Sequence, residues 1–233
     1  PIDFGFHISV NKKIKPGSGI GSSAASSAGS VFAINELLDR PFTNQELIPF
    51  AAEGEYACTN SYHADNITAV LLGGITLVRC NKEFDVVKLR TPLQLFVTII
   101  HPQVEIKTAD SRIIVQRKIE ISKLTEQASN LAAFVSALYN EDYEMISRCI
   151  KDIIVEPYRS EIIPEFNNLK KIALKSGSIG FGISGSGPSM FSLSKGPKIA
   201  NDVKINLEKH LQKKNINYKS YVSKVNDSGI KII

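Results

Sequence analysis

Pro16-Gly17-Ser18-Gly19-Ile20-Gly21-Ser22-Ser23 is the stretch of the chain best suited to hold an anion. Its three glycines alternate, and an apolar-periodic segment follows at once. A glycine loop that opens a helix aims free backbone N–H groups and the positive end of the helix dipole at one point. Gly17, Gly19 and Gly21 let the backbone come close to a phosphate and adopt positive φ. The hydroxyls of Ser22 and Ser23 can cap the helix, or reach a phosphate or its Mg2+. The loop is not a Walker A, because Gly-Lys-Ser/Thr is missing. Nor is it a dinucleotide fingerprint, because Ser22 stands where the last glycine is needed. The plainer reading, a tight turn with serine caps, does not require three alternating glycines.

Further along lie Glu55, the run His63-Ala64-Asp65-Asn66, the pair Thr108 and Arg112, Glu156-Pro157-Tyr158-Arg159, and a second glycine-rich run from Gly182 to Ser189. Read singly, each has a bland explanation: Glu55 as a solvated helix residue, the arginines as surface charges, His63 as a loop histidine. Their types still suit one kind of chemistry. Glu55 is a hard carboxylate of the sort that holds Mg2+. Arg112 and Arg159 carry planar forks that match a carboxylate. Thr108 precedes Arg112 by four residues and shares its face if the segment is helical.

These residues need elements to position them. Phe4, Phe6, Ile8 and Val10 alternate with smaller or polar residues and predict a half-buried strand before the loop. Ala24, Ala28, Val31, Phe32 and Leu38 mark the buried stripe of a helix after it. Thr43-Asn44-Gln45-Glu46 is a capping box, with Pro49 disturbing the early turns of the helix it announces. Ile67–Leu72 and Ile75–Val78 flank Gly73-Gly74 as helix, turn and strand. Leu95–Ile100 reads as the first strand of a second unit. Helical patterns follow at residues 108–118, 122–139, 143–150 and 163–176. Gly180–Ser184 and Met190–Leu193 bracket the turn Gly185-Ser186-Gly187-Pro188, a helix is expected over 200–213, and strands over 221–225 and 230–233. Strands and helices mix without a strict βαβα rhythm, which predicts an α+β fold rather than a doubly wound sheet.

The chain has 233 residues, of which 43% are hydrophobic and 22% charged, enough to bury a sizeable core. Its net charge of +5 suits a nucleotide and would also suit nucleic acid. The excess is local, at Lys195, Lys198, Lys204, Lys209, Lys213, Lys214 and Lys219, and no aromatic residues interleave with it as a base-stacking platform would require. It reads as a solvated helix face. Cys58, Cys80 and Cys149 are odd in number and widely spaced, which points to reduced thiols in a cytoplasmic protein. The longest apolar run, interrupted by Gly73-Gly74, is too short to span a bilayer. Because the chain opens on Pro1 and passes directly into a strand-like pattern, a segment preceding it is expected.

The loop and its Ala24-Ala25 continuation are similar to the P-x-G-x-G-(L/I)-G-S-S-A phosphate loop of the GHMP small-molecule kinases. The resemblance runs on, in order and spacing, through Glu55, His63 to Asn66, Gly73-Gly74, Thr108 to Arg112, Glu156 to Arg159 and Gly182 to Ser189. His63-Ala64-Asp65-Asn66, together with Arg159, resembles the homoserine kinase branch, whereas mevalonate-type members usually carry Ser-Gly-x-Asp at the first of these positions. The Asn and Gly-Phe-Asp motif with which that family normally begins is not in the chain.

The resemblance implies a two-domain α+β fold, with a ribosomal-protein-like N-terminal part over residues 1–92 and a ferredoxin-like part over 93–233. It implies ATP-dependent phosphorylation of the L-homoserine hydroxyl to give O-phospho-L-homoserine, a step toward threonine. Pro16, Gly17, Ser18, Gly19, Ile20, Gly21, Ser22 and Ser23 would bind ATP, and Ser23 and Glu55 would hold Mg2+. His63, Asp65, Asn66, Thr108, Arg112, Arg159 and Gly185 would bind the acceptor, with the Gly185 turn closing the site. Asn66, Asp65 and Arg112 carry the catalytic roles, Asn66 orienting the hydroxyl and Asp65 taking the ammonium. No dedicated base is expected, since an ordinary aspartate is a weak base for an alkyl hydroxyl and the γ-phosphate can take the proton. A homodimer is compatible with this reading; a nucleic-acid or membrane partner is not expected. The alternatives are a mevalonate- or shikimate-type GHMP kinase, whose acceptor lacks the ammonium, and a basic nucleic-acid-binding protein.

Overall fold

A computed structural model of the chain describes residues 4–14, 16–59, 62–104 and 118–233. It is an α+β protein of two compact units. One gathers Pro1–Pro16, Gly21–Leu89 and Asn226–Ile233; the other gathers Gly17–Ile20 and Arg90–Val225.

The first unit is built from three helices and a hairpin: α1 (Ser22–Leu37), α2 (Ile48–Thr59), α3 (Ala64–Leu72), β1 (Ile75–Cys80) and β2 (Asp85–Leu89). Its core joins Ala24 and Ala28 of α1 to Leu47, Ile48, Ala51 and Ala52 at the start of α2, and to Ile67 and Leu71 of α3. Four of these eight are alanines, so the helices pack closely with little side-chain entropy lost. The capping box forms as expected. The Thr43 N–H donates to Glu46 Oε2 at 2.8 Å, and the Glu46 N–H donates to Thr43 Oγ1 at 3.3 Å. β1 and β2 pair antiparallel, with Ile75 opposite Leu89 and Leu77 opposite Val87. The C-terminal residues return to this unit. The Gly74 N–H donates to Asn226 O at 2.7 Å, the Ile230 N–H donates to Val70 O at 2.8 Å, and Lys88 Nζ donates to both Leu72 O and Asp227 O at 2.8 Å.

Two expected strands do not form. Residues 4–12 adopt no regular element, and Phe4, Ile8 and Val10 are exposed. Alternation makes an extended segment amphipathic, but a strand also needs a neighbour to exchange backbone hydrogen bonds, and no described strand pairs with this one. Residues 230–233 likewise carry no ladder; Ile230 ties them to the unit through its N–H on Val70 O and its side chain against the core.

The second unit contains a four-stranded antiparallel sheet of β3 (Leu95–Pro102), β4 (Gly180–Ile183), β5 (Met190–Lys195) and β6 (Tyr218–Lys224), in the order β4-β5-β3-β6. Ile99 of β3 lies opposite Phe191 of β5 on one side and Tyr221 of β6 on the other. Helices α4 (Ile121–Asn140), α5 (Tyr143–Cys149), α6 (Glu156–Arg159), α7 (Phe166–Lys175) and α8 (Pro197–Lys213) complete it. The core joins Ile100, Phe181 and Met190 of the sheet to Phe166, Leu169 and Ala173 of α7 and Val203, Leu207 and Leu211 of α8. Leu207 and Leu211 repeat at the helical spacing of four, which puts both on the buried face of α8. The hydroxyl of the buried Thr98 is satisfied by Ala200 O at 2.9 Å. The helix expected over 108–118 lies, but for Lys118, outside the described residues.

Leu207 is fully buried among these side chains. Leu207→Ala should therefore lower stability by roughly 2–5 kcal/mol, the usual cost of a large-to-small change that leaves a cavity. Urea denaturation followed by far-UV circular dichroism should show the transition midpoint falling accordingly. An unchanged midpoint would mean that this core does not hold the unit.

Candidate functional site

In the first unit the glycine loop delivers its end into α1. Gly21 is the N-cap, in the left-handed region at φ 72° and ψ 32°. The serines that follow do not cap the helix, contrary to the simplest sequence reading, because they occupy its first two positions. Ser22 Oγ donates to Ile14 O at 2.9 Å, and Ser23 Oγ donates to Glu55 Oε1 at 2.9 Å. Glu55 projects from α2 and is only 6% exposed, so α1 and α2 place a hydroxyl and a buried carboxylate side by side at a positive helix end. Among the described residues no group of three or more His, Cys, Asp or Glu side chains forms a metal cage. A hydroxyl with one carboxylate nevertheless suits Mg2+, which keeps several waters and relies on one or two carboxylates plus substrate phosphates.

α3 carries the next three predicted residues. His63 is its N-cap and Asp65 lies in its first turn; both are exposed. Asn66 is half-buried and lies against Gly21: a Cβ built on that glycine would fall 2.9 Å from Asn66 Oδ1. The start of α3 is fixed by Asn81, whose Oδ1 accepts the Ala64 N–H at 3.2 Å.

In the second unit, Gly17–Ile20 rest on the β4–β5 turn. Gly19, at φ 77°, is the tight point. A Cβ there would lie 2.5 Å from Ser184 O and 2.6 Å from Gly187 O. Ser184 Oγ donates to Gly19 O at 2.9 Å, and the Ser189 N–H donates to Ser18 O at 3.2 Å. Ser18 is itself buried, and its Oγ has no hydrogen-bond partner among the described residues. Short α6 presents Arg159, whose Nη1 donates to Gly185 O at 2.9 Å, while its buried Nε–H has no acceptor among the described residues. Pro16 stands exposed at the start of the loop and Ile20 is half-buried. Thr108 and Arg112 lie outside the described residues.

The structure thus brings Ser23 together with Glu55, Asn66 with Gly21, and Arg159 with Gly185. What Ser184 and Ser189 do was not legible in the sequence, although both sit in the second glycine-rich run. A serine that holds a backbone carbonyl looks no different in sequence from a solvated one. The basic C-terminal cluster is partly neutralised within its own unit: Lys204 lies 3.8 Å from Glu208, and Lys214 lies 3.7 Å from Glu165.

Comparison with known proteins places this geometry in a family. The profile of the GHMP kinases N terminal domain matches residues 2–74, and that of the GHMP kinases C terminal region matches residues 134–213. A homoserine kinase of Chlorobium phaeobacteroides is 42% identical over 204 residues, covering 87% of this chain and 64% of that protein. The homoserine kinase of a second strain of that species is 37% identical over 236 residues, covering 100% of this chain and 74% of that protein. The crystal structure of homoserine kinase from Cytophaga hutchinsonii superposes with a TM-score of 0.93 at 45% identity, covering 95% of this chain and 70% of that one. The chain therefore spans roughly two thirds of the length of the curated relatives it matches.

Gly19→Ala tests the loop. The left-handed region costs a residue with a Cβ about 1–2 kcal/mol before any clash is counted, and here the new atom meets two carbonyl oxygens. The affinity for Mg-ATP in a fluorescence titration should fall by roughly tenfold or more. Wild-type affinity in the variant would show that the close approach is not needed.

Proposed function

The chain belongs to the homoserine kinase family of the GHMP kinases, and from that membership we propose that it transfers the γ-phosphoryl group of ATP to the hydroxyl of L-homoserine. The observation that carries the proposal is the Ser23–Glu55 pair at the mouth of a glycine loop that opens a helix. Phosphoryl transfer asks little covalent chemistry of a protein and much positioning and charge neutralisation. In this reading residues 1–92 form the domain that holds phosphate and metal, and residues 93–233 form its companion.

Pro16 to Ser23 cradle the phosphates through backbone N–H groups and the α1 dipole. Ser23 and Glu55 would hold Mg2+, which when bound neutralises charge on the phosphate oxygens. Arg159 and Arg112 grip the acceptor carboxylate, and Thr108 and Gly185 border it. The buried Nε–H of Arg159, without an acceptor among the described residues, supports that role, since an unpaired buried donor costs about 1–3 kcal/mol and a ligand carboxylate would relieve it. His63 and Asp65 receive the ammonium. Asn66, held against Gly21, orients the hydroxyl, and the γ-phosphate takes the proton. Activity in the cytoplasm is part of the same proposal.

ADP release from Mg-ATP in the presence of L-homoserine is the direct test, with mevalonate and shikimate as competing acceptors. Turnover with homoserine alone is expected. Turnover with an acceptor that lacks the ammonium would replace the proposed substrate. Asp65→Asn should raise the homoserine KM by roughly tenfold, the scale of one charge-assisted contact, and leave kcat close to wild type. A collapse of kcat at unchanged KM would make Asp65 a base.

A further inference from the structure

Ser189 is fully buried, and it makes three hydrogen bonds. Its Oγ shares one with Nδ1 of His101 at 3.0 Å. Its N–H donates to Ser18 O at 3.2 Å, and its C=O accepts the Ser184 N–H at 2.9 Å. Ser184 Oγ then donates to Gly19 O at 2.9 Å. The carbonyls of two consecutive loop residues are thereby drawn onto one serine hub. In a planar trans peptide the C=O and the following N–H point in opposite directions. Fixing the Ser18 and Gly19 carbonyls on the hub therefore turns the N–H groups of Gly19 and Ile20 away from it. Successive N–H groups turned to one side form an anion-binding concavity.

His101 supplies the fixed end of this arrangement. It is only 7% exposed and lies near the end of β3, a central strand bonded to β5 on one side and β6 on the other. We propose that His101 is a positioning residue for the phosphate loop: by holding the Ser189 hydroxyl it sets the hub that aims the Gly19 and Ile20 N–H groups at bound phosphate. The last step rests on the ATP-binding reading above. His101 touches neither phosphate nor acceptor in this role and acts through Ser189.

The test compares wild type, His101→Leu, His101→Asn, Ser189→Ala and the double variant His101→Leu with Ser189→Ala, all in the intact chain. Two quantities are read: the Kd for Mg-ATP by calorimetry, and amide hydrogen exchange at Ser184 and Ser189 without nucleotide. His101→Leu and Ser189→Ala should each weaken Mg-ATP binding by about three- to tenfold, the range of one buried neutral hydrogen bond. Both should also speed exchange at the hub. The double variant should be no worse than the poorer single, because the two changes break the same bond. His101→Asn, which keeps a hydrogen-bonding group near the Nδ1 position, should recover most of both losses. Ser189→Ala removes one oxygen and keeps the test valid if His101→Leu fails to fold. Unchanged Kd and exchange in the single variants, or losses that add in the double variant and are not recovered by asparagine, overturn the proposal. If wild type binds no Mg-ATP, the nucleotide reading falls, and the exchange data alone then decide whether the brace exists.

Discussion

At Gly19 two stretches of backbone meet with no room for a side chain: an added Cβ would sit 2.5 Å from one carbonyl oxygen and 2.6 Å from another. The rest of the loop depends on this contact. It requires glycine, and it also requires the left-handed φ of 77° that glycine adopts without strain. Once the chain has turned there, the carbonyls of Ser18 and Gly19 are within reach of the Ser189 N–H and the Ser184 hydroxyl. Gly21 turns it left-handed again, at φ 72°, and α1 begins. An exposed glycine loop would cost conformational entropy with nothing to offset it. Here the hydrogen bonds to the serine hub oppose that cost, and a loop so held presents N–H groups without reorganising when an anion arrives.

What the sequence revealed follows from where the determining physics is local. The glycine spacing and the apolar stripe beginning at Ala24 are local, and both the loop and α1 were legible. The same holds for the capping box at Thr43–Glu46 and for the strands that flank Gly185–Pro188. The half-buried strand over residues 4–10 was read from side-chain alternation alone, and alternation does not report whether a partner strand exists. β2 was missed because Asp85-Val86-Val87-Lys88-Leu89 is short and two of its five residues are charged, and it becomes a strand only against β1. α6 has four residues and one turn, below the length at which a period can be seen. Of the candidate site, Ser23 with Glu55 was named as a pair from the family pattern and the structure gives it a hydrogen bond, whereas Asn66 and Gly21 were named separately and their proximity was not. His101 and Ser189 were invisible as functional residues, because their pairing spans 88 positions and neither type at either place is unusual.

The two serines at the start of α1 illustrate how a local rule yields to a distant partner. Serine before an apolar run is ordinarily an N-cap, with its oxygen accepting a backbone N–H of the first turn. At Gly21 the left-handed cap residue already starts the helix, which frees both hydroxyls. Ser22 turns back to the segment entering the loop, and Ser23 turns to Glu55. The helix gives up one capping bond, worth about 1 kcal/mol. In return the N–H groups of its first turn stay directed at the loop mouth rather than at their own side chains. That outcome is of little use to a purely structural helix and is useful to one that binds anions.

The distribution of carboxylates argues for how the acceptor's proton leaves. A general base strong enough for an alkyl hydroxyl is usually a carboxylate that burial has made reluctant to ionise. Among the described residues of the first unit the buried carboxylate is Glu55, and it is engaged with the Ser23 hydroxyl at the phosphate end. Asp65 is exposed in the first turn of α3. An accessible carboxylate is suited to receiving an ammonium and, without burial around it, poorly suited to removing a hydroxyl proton. The neighbouring half-buried Asn66 can orient a hydroxyl but cannot take a proton from it at neutral pH. In the proposed reaction, and among the described residues near α3, the proton acceptor is then a γ-phosphate oxygen that the reaction itself brings, and an acceptor with its own ammonium is the one for which Asp65 has a use.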